Sequence, residues 1–349
     1  MRIAQVSPLF ESVPPQSYGG TERVVSYLTE ELVRQGHEVT LFASGDSVTS
    51  AELVPITSLS LRLSSSCADH LAYHVVMLEA VARRADEFDL IHYHIDYLHY
   101  PLSRRLETVH LTTLHGRLDL PDLVPLYEEF PEMPVVSISS AQREPLPWIN
   151  WISTVHHGIP HNLYSFQPAP GEYLAFVGRI SPEKRVDRAI EIARRSGIPL
   201  KIAAKIDQVD VAYFEREIRT LLDDPLVEYL GEVDDREKDV LVGGASALLF
   251  PIDWPEPFGL VMIEAMACGT PVIAYNHGSV PEIIEEGISG YAVSNLDEAV
   301  AAVGKVSSLN RRQVRAAFEA RFTADRMARD YVDVYERLLE TEQPRMWAV

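Results

Sequence analysis

The order strand, turn, helix, strand opens this chain and starts again near its middle, and that repetition constrains the fold more than any other feature of the sequence. Arg2 to Val6 is a short apolar run. A loop from Ser7 to Gly20 follows, carrying Pro8, Pro14, Pro15, Gly19 and Gly20. Thr21 stands where it would cap a helix in which Val25, Leu28 and Leu32 recur at helical spacing. Gly36 occupies the place of a left-handed residue ending that helix, and Glu38 to Ala43 reads as the next strand. A strand joined to its successor through a helix runs parallel to it, so the sheet is of the α/β kind.

Further strands are predicted at 90–94, 109–115 and 135–138. The pattern then restarts with Tyr173 to Val177, a turn at Gly178, and a helix after Glu183 that buries Val186, Ala189, Ile190 and Ala193. Gly197 ends that helix, and strands at 200–203, 227–230, 247–250, 272–274 and 291–293 continue the series. A chain of 349 residues suits two domains of ~150 to 170 residues. The Gly- and Pro-containing stretch from His157 to Pro170 marks the seam. The expected division is 1–165 and 166–323, with an amphipathic helix from Ala324 to about residue 349 that is expected to return to the first domain. Ligands of open α/β sheets lie beyond the carboxyl ends of the strands, so two such domains imply a cleft facing both.

Composition matters chiefly for what it excludes. A formal charge of −20 is the wrong sign for a nucleic-acid partner and disfavours stable attachment to an anionic membrane. No apolar run approaches the ~20 residues of a spanning helix, and the apolar stretch at Met1 is too short for a signal peptide. Cys67 and Cys268 lie far apart and show no C-x-x-C spacing, which suits buried thiols in a reducing compartment. These features together predict a soluble cytoplasmic protein.

The segment from Trp254 to Pro271 carries the strongest chemical signal, with two carboxylates, Glu256 and Glu264, eight residues apart at a strand-loop-helix junction. Pro257 disfavours helical backbone at Glu256, so Glu256 is expected to project from a rigid loop. Gly259 lets the chain turn closely into a helix whose first N–H groups attract phosphate or sugar oxygens. Glu264, a turn further on, suits the diol of a ribose. Arg179 and Lys184 flank a short turn beyond a predicted strand and can neutralise a diphosphate. No lysine precedes Lys184 in the chain. Gly19 and Gly20 form no G-x-G-x-x-G fingerprint, yet a Gly-Gly loop entering a helix can approach a phosphate. His115 ends a predicted strand. His92 and His94 fall on one strand face, the spacing of a metal pair, but no third ligand is evident. No Asp-x-Asp clamp is present, and Asp207 and Asp210 are too widely spaced for one. His157, Gly158 and Ser139 are candidates for contacts to a nucleotide.

Taken together these segments resemble the family-four retaining glycosyltransferases of the GT-B fold. The resemblance covers nearly the whole chain: Gly19 to Glu22 and Gly36 to Val39, Gly178 to Lys184, Glu256 to Pro271, Gly278 to Glu282 and Glu286 to Tyr291. It implies that Arg179 and Lys184 hold the donor diphosphate. Glu256 and the backbone of Phe258, Gly259 and Leu260 would contact the donor sugar, and Glu264 the ribose. Gly19 and Gly20 would lie against the diphosphate, and His115 beside the transferred sugar and the acceptor. Two departures affect the nucleobase contacts. The seam reads His-Gly-Ile-Pro where Asn-Gly-Ile-Asp is commoner, and the loop after Ala203 is not glycine-rich.

The implied activity is transfer of a hexose with retention, from a UDP-hexose or GDP-mannose, to a soluble glycan or small-molecule hydroxyl. No metal and no cofactor are expected, the nucleotide sugar being a substrate. A nucleotide-sugar epimerase, a sugar phosphorylase and a non-catalytic sugar-binding module remain as alternatives.

Overall fold

A computed structural model describes residues 1–16, 19–64 and 67–346, the side chains of 342–346 excepted. Two residues of the expected Gly-Pro loop, 17 and 18, and the last three of the expected C-terminal helix lie outside these. The chain divides into two compact units, Met1–Pro160 with Ala324–Val349, and His161–Thr323.

The first unit is a seven-stranded parallel sheet in the order β3-β2-β1-β4-β5-β6-β7. Its strands are β1 (Arg2–Val6), β2 (Glu38–Ala43), β3 (Glu52–Pro55), β4 (Leu90–Tyr93), β5 (Val109–Thr113), β6 (Val135–Ser137) and β7 (Trp151–Thr154). Ile3 pairs with Val39 on one side and Leu90 on the other, so the strand order reverses at β1. Such a reversal opens a crevice at the carboxyl ends of β1 and β4.

Helix α1 (Gly20–Arg34) packs on this sheet through Val24, Val25, Leu28 and Leu32, each at most 1% exposed. Burying side chains of this size stabilises by roughly 1.5–3 kcal/mol each. Thr21 is not its cap. The helix begins two residues earlier than that cap implies, at Gly20, with Gly19 as its uncapped N-terminal flank and Arg23 N–H donating to Gly19 O at 3.1 Å. Gly36 does adopt the left-handed region, at φ 89°. Two strands escape the sequence pattern, β3 and β7. Both are four-residue edge strands with no buried residue, so neither shows the apolar run that marks a central strand. Helix α2 (His70–Arg83), capped by Asp69, follows β3. It adds Met77 and Val81 to a core containing Phe42, Ile91 and Tyr93.

The second unit is a six-stranded parallel sheet, β10-β9-β8-β11-β12-β13. Its strands are β8 (Leu174–Arg179), β9 (Leu200–Lys205), β10 (Val227–Gly231), β11 (Ala247–Phe250), β12 (Val272–Tyr275) and β13 (Gly290–Val293). The order reverses at β8, which lies between β9 and β11. The longer helices of the unit are α3 (Val186–Ser196), α4 (Asp235–Gly243), α5 (Leu260–Cys268), α6 (Leu296–Val303) and α7 (Arg311–Arg321). The unit begins at His161, earlier than the boundary at 165 read from the sequence. Arg315 on α7 donates to the carbonyls of His161 (2.5 Å) and Tyr164 (3.3 Å), which ties this part of the seam to the second unit.

The last helix, α8 (Ala324–Met346), belongs to the first unit. Tyr331 and Tyr335 are fully buried, Asp325 pairs with Arg34 of α1 at 2.6 Å, and Tyr331 bonds Thr113 of β5 at 2.8 Å. The C-terminal helix therefore returns to the N-terminal domain. Among the described residues no helix is long and apolar enough to cross a membrane.

Candidate active site

In the second unit, the loops leaving β8 and β11 at the strand-order reversal carry the charged residues singled out in the sequence. Arg179 is the last residue of β8, inside the strand and not beyond it. Its guanidinium donates to Glu183 at 2.5 Å and lies 3.5 Å from Asp207 and 3.2 Å from Asp210. The two aspartates that read poorly as a metal clamp are thus partners of this arginine. Burial raises the Asp210 carboxyl, and the charge on Arg179 opposes that rise.

Lys184 follows on the same loop. Its ammonium binds the Glu256 carboxylate, lies 5.2 Å from the ring of Trp254 and 5.5 Å from that of Phe250. Trp254 Nε1 donates to the same carboxylate oxygen at 3.0 Å. Glu256 therefore does not project freely, contrary to the sequence reading; it is 8% exposed and paired. An isolated carboxylate at that depth would cost more than its pairing with Lys184 does. Asp253 N–H donates to Glu183 O at 2.8 Å, joining the two loops.

The Glu256 loop is clamped from behind by the loop after β12. Ser279 N–H donates to Glu256 O at 3.0 Å, and Ser279 Oγ to Phe258 O at 2.7 Å. Gly278, at φ 57°, permits the approach: a Cβ there would fall 2.4 Å from both N and O of Glu256. Gly259 (φ 82°) then turns the chain into α5, whose first residue is Leu260. The opening N–H groups of a helix have no partner within it, and such an end can attract an anion. Phe258 is buried at 2% exposure, its ring 6.2 Å from that of Phe322.

Glu264 lies one turn into α5 at 4% exposure. Its Oε1 accepts from Lys238 Nζ at 2.9 Å, and Lys238 also lies 3.3 Å from Asp235 and 5.5 Å from the Tyr164 ring. Lys238 is absent from the sequence reading. The available signal was its rarity, as one of five lysines in the chain, on a helix opened by an Asp-Asp pair. Arg179, Lys184, Glu256 and Glu264 thus all belong to one unit, and three of them are joined through the β8 and β11 loops.

The first unit holds the histidines singled out in the sequence. His115 lies two residues past the end of β5, not within it. Its Nε2 is 2.9 Å from His94 Nδ1, and its ring stacks on that of His157 at 5.3 Å. His94 Nε2 meets Gln5 Oε1 at 2.8 Å, and Gln5 Nε2 donates to Tyr335 Oη at 3.3 Å. His92 bridges Tyr335 Oη and Thr113 Oγ1, both at 2.7 Å. Burial, then the charge of His115, holds His92 well below 6.5. Burial lowers His115 to about 3. A cavity of about 430 Å³ opens beside this cluster, lined by Phe10, Gly19, Gly20, Glu22, His94 and His115 among others.

His157 and Gly158 also fall in this unit, fastened to α8: Arg326 donates to His157 O at 3.0 Å and Gly158 N–H to Met327 Sδ at 3.2 Å. Ser139 is fully buried, its Oγ accepting from Gln142 N–H at 3.1 Å. A nucleotide would not reach its hydroxyl without rearrangement. His92 and His94 are neighbours at 4.0 Å between rings, but their nitrogens go to Tyr335, Thr113, Gln5 and His115. Among the described residues no three His, Cys, Asp or Glu side chains group to hold a metal ion.

Two doubly wound parallel sheets in one chain, with a helix from the C-terminus completing the first, define the GT-B class of glycosyltransferases. The chain belongs to the glycosyltransferases of group 1 and family 4: residues 165–321 match the model described as glycosyl transferases group 1, and residues 18–152 that of glycosyltransferase family 4. An uncharacterized glycosyltransferase of Methanocaldococcus jannaschii is 25% identical, over 97% of this chain and 99% of its own. Two solved structures share the fold. Sucrose-phosphate synthase of Thermosynechococcus elongatus has a TM-score of 0.80 at 18% identity, covering 98% of this chain and 100% of that one. Anabaena HepE, solved with UDP and glucose, has a TM-score of 0.72 at 18% identity, over 97% and 100%.

Proposed function

We propose that this glycosyltransferase moves a hexose from a nucleoside diphosphate donor, a UDP-hexose in preference to GDP-mannose, to a hydroxyl acceptor with retention and without a metal ion. The observation that carries the reading is the pairing of Lys184 with Glu256 immediately before the N-terminus of α5. In the free protein each of these charges satisfies the other. An entering diphosphate offers Lys184 and Arg179 a doubly charged partner and frees Glu256 to accept hydrogen bonds from sugar hydroxyls. Glu264, held by Lys238, accepts from the ribose diol. That HepE was solved with UDP and glucose supports the uridine donor.

The second unit takes the donor in this reading, and the cavity of the first unit takes the acceptor. As the bond from the anomeric carbon to the diphosphate oxygen breaks, its electron pair stays with the phosphate. The anomeric centre becomes oxocarbenium-like. The acceptor hydroxyl enters on the face the diphosphate leaves, and its proton passes to a phosphate oxygen. The protein's part is electrostatic, because Arg179, Lys184 and the start of α5 are fixed where negative charge develops.

Incubation with UDP-glucose, GDP-mannose and ADP-glucose, each with a panel of soluble acceptors, tests the reading. Proton NMR then reads the anomeric configuration of any new glycoside. A glycoside of inverted configuration refutes retention. An isomerised donor or a sugar phosphate in place of a glycoside identifies an epimerase or a phosphorylase. Binding of free glucose without nucleotide affinity, measured by calorimetry, identifies a sugar-binding module.

A further inference from the structure

Gln5 is buried on β1, and its amide joins two hydrogen-bonded branches. Its Nε2 donates to Tyr335 Oη at 3.3 Å, which leaves Oε1 as the atom facing His94 Nε2 at 2.8 Å. An amide oxygen only accepts, so His94 Nε2 carries a proton. His94 is 2% exposed, and burial, followed by the charges of His92, His115 and His157, keeps it well below 6.5. It is neutral at pH 7 and has only one N–H, so its Nδ1 accepts. The partner of Nδ1 is His115 Nε2 at 2.9 Å, which must then be the donor. His115 is neutral as well, and its second nitrogen, Nδ1, carries a lone pair and no proton.

We propose that Gln5 and His94 lock His115 in the Nε2–H tautomer, so that this residue of the cavity presents Nδ1 as a hydrogen-bond acceptor to a hydroxyl of the incoming acceptor. The lock stands on the geometry of the first unit alone, and its use on a hydroxyl rests on the proposed function. In the opposite tautomer, Nδ1–H would be a donor, and a substrate hydroxyl would have to turn its own oxygen toward it. His94 and Gln5 are positioning residues in this scheme, since each acts through His115.

Long-range proton–nitrogen correlation on the full chain labelled with nitrogen-15 histidine reads the tautomer directly, with His115→Gln used to assign the signal. His115 is expected to show a protonated Nε2 and a bare Nδ1 at pH 7. A protonated Nδ1, or averaged signals, overturns the lock. His94→Gln retains an amide that can accept from His115 and donate to Gln5, and it is expected to preserve the tautomer; His94→Leu is expected to release it. With UDP-glucose as probe, and UDP release as readout, kcat of His94→Leu should fall about tenfold, with KM within about twofold and His94→Gln within about threefold of wild type. Unchanged kcat in His94→Leu alongside a lowered melting temperature indicates packing only and overturns the positioning role. A locked tautomer in a protein that releases no nucleoside diphosphate from UDP-glucose, GDP-mannose or ADP-glucose with the acceptor panel present supports the lock and sinks the transferase reading.

Discussion

At the scale of single residues, the proposed donor site is a set of charges already paired. Lys184 and Glu256 bind one another, Glu264 and Lys238 do likewise, and Arg179 is shared among Glu183, Asp207 and Asp210. Removing one partner of such a buried pair is costly, because it leaves the other charge uncompensated. Lys184→Ala should therefore do two things. Turnover at saturating donor should fall about 10²-fold, equivalent to ~3 kcal/mol of lost transition-state stabilisation. Glu256 would also lose its cation, so the variant should melt lower than wild type. Wild-type turnover in Lys184→Ala would remove this residue from the chemistry. Glu256 and Glu264 were legible in the sequence because their spacing and their Pro and Gly neighbours are local features. Lys238, Asp207 and Asp210 were not, because each meets its partner only through the parallel packing of separate strand-helix units.

At the scale of elements, two loops and one sheet invite measurement. The loop after β12 holds the backbone of Glu256 and Phe258. Gly278→Ala places a Cβ against that backbone and forces a non-glycine residue to φ 57°, at a cost of about 2–4 kcal/mol if the loop does not move. The expected result is a lower melting temperature together with lower kcat, read by thermal denaturation and donor turnover. Normal turnover in a stable Gly278→Ala protein would show that the clamp is dispensable.

The buried histidines of the first unit predict a pH dependence with a definite sign. Burial, before any neighbouring charge, lowers His92, His94 and His99 well below their usual 6.5. The unfolded chain then binds more protons than the folded one below pH 6.5. Their contribution is whole above that value and lost as pH falls through and below it, by about 1.4 kcal/mol per pH unit for each group. Melting temperature should fall between pH 7 and pH 5. His99 is hydrogen-bonded to Ser103 and Thr112 and stacked on Tyr93, away from the reacting groups. His99→Asn should make the slope shallower while lowering stability at pH 7. Parallel slopes for the two proteins would contradict the assignment.

At the scale of the whole molecule, the first unit is discontinuous in sequence, and its last piece is structural. Met327, Ala328, Tyr331, Val334 and Tyr335 of α8 are at most 2% exposed. Their burial is worth on the order of 10 kcal/mol, comparable with the full stability of a domain. A chain ending at Thr323 is expected to be insoluble or to lack the near-UV circular dichroism of the intact protein; a soluble, cooperatively melting product would refute this. The proposed metal independence is also tested on the intact protein, by turnover in excess chelator. Loss of activity that a divalent ion restores would overturn it.

Alternation of apolar strands with amphipathic helices, repeated once, was enough by itself to specify two parallel sheets, because strand polarity follows from a helical crossover and needs no long-range knowledge. Local chemistry likewise disclosed the Glu256-to-Glu264 segment, with its rigid loop and helix start. Tertiary structure alone decided what those side chains touch. It paired Glu256 with Lys184, ringed Arg179 with carboxylates, and fastened His157 and Gly158 to α8 through Arg326 and Met327. It also decided that Gln5, His94 and His115, from three strand ends far apart in the chain, share one hydrogen-bonded line. Periodicity reports which face of an element is buried. It carries no record of which distant partner a buried polar group will meet, and that choice is made when the strands take their order in the sheet.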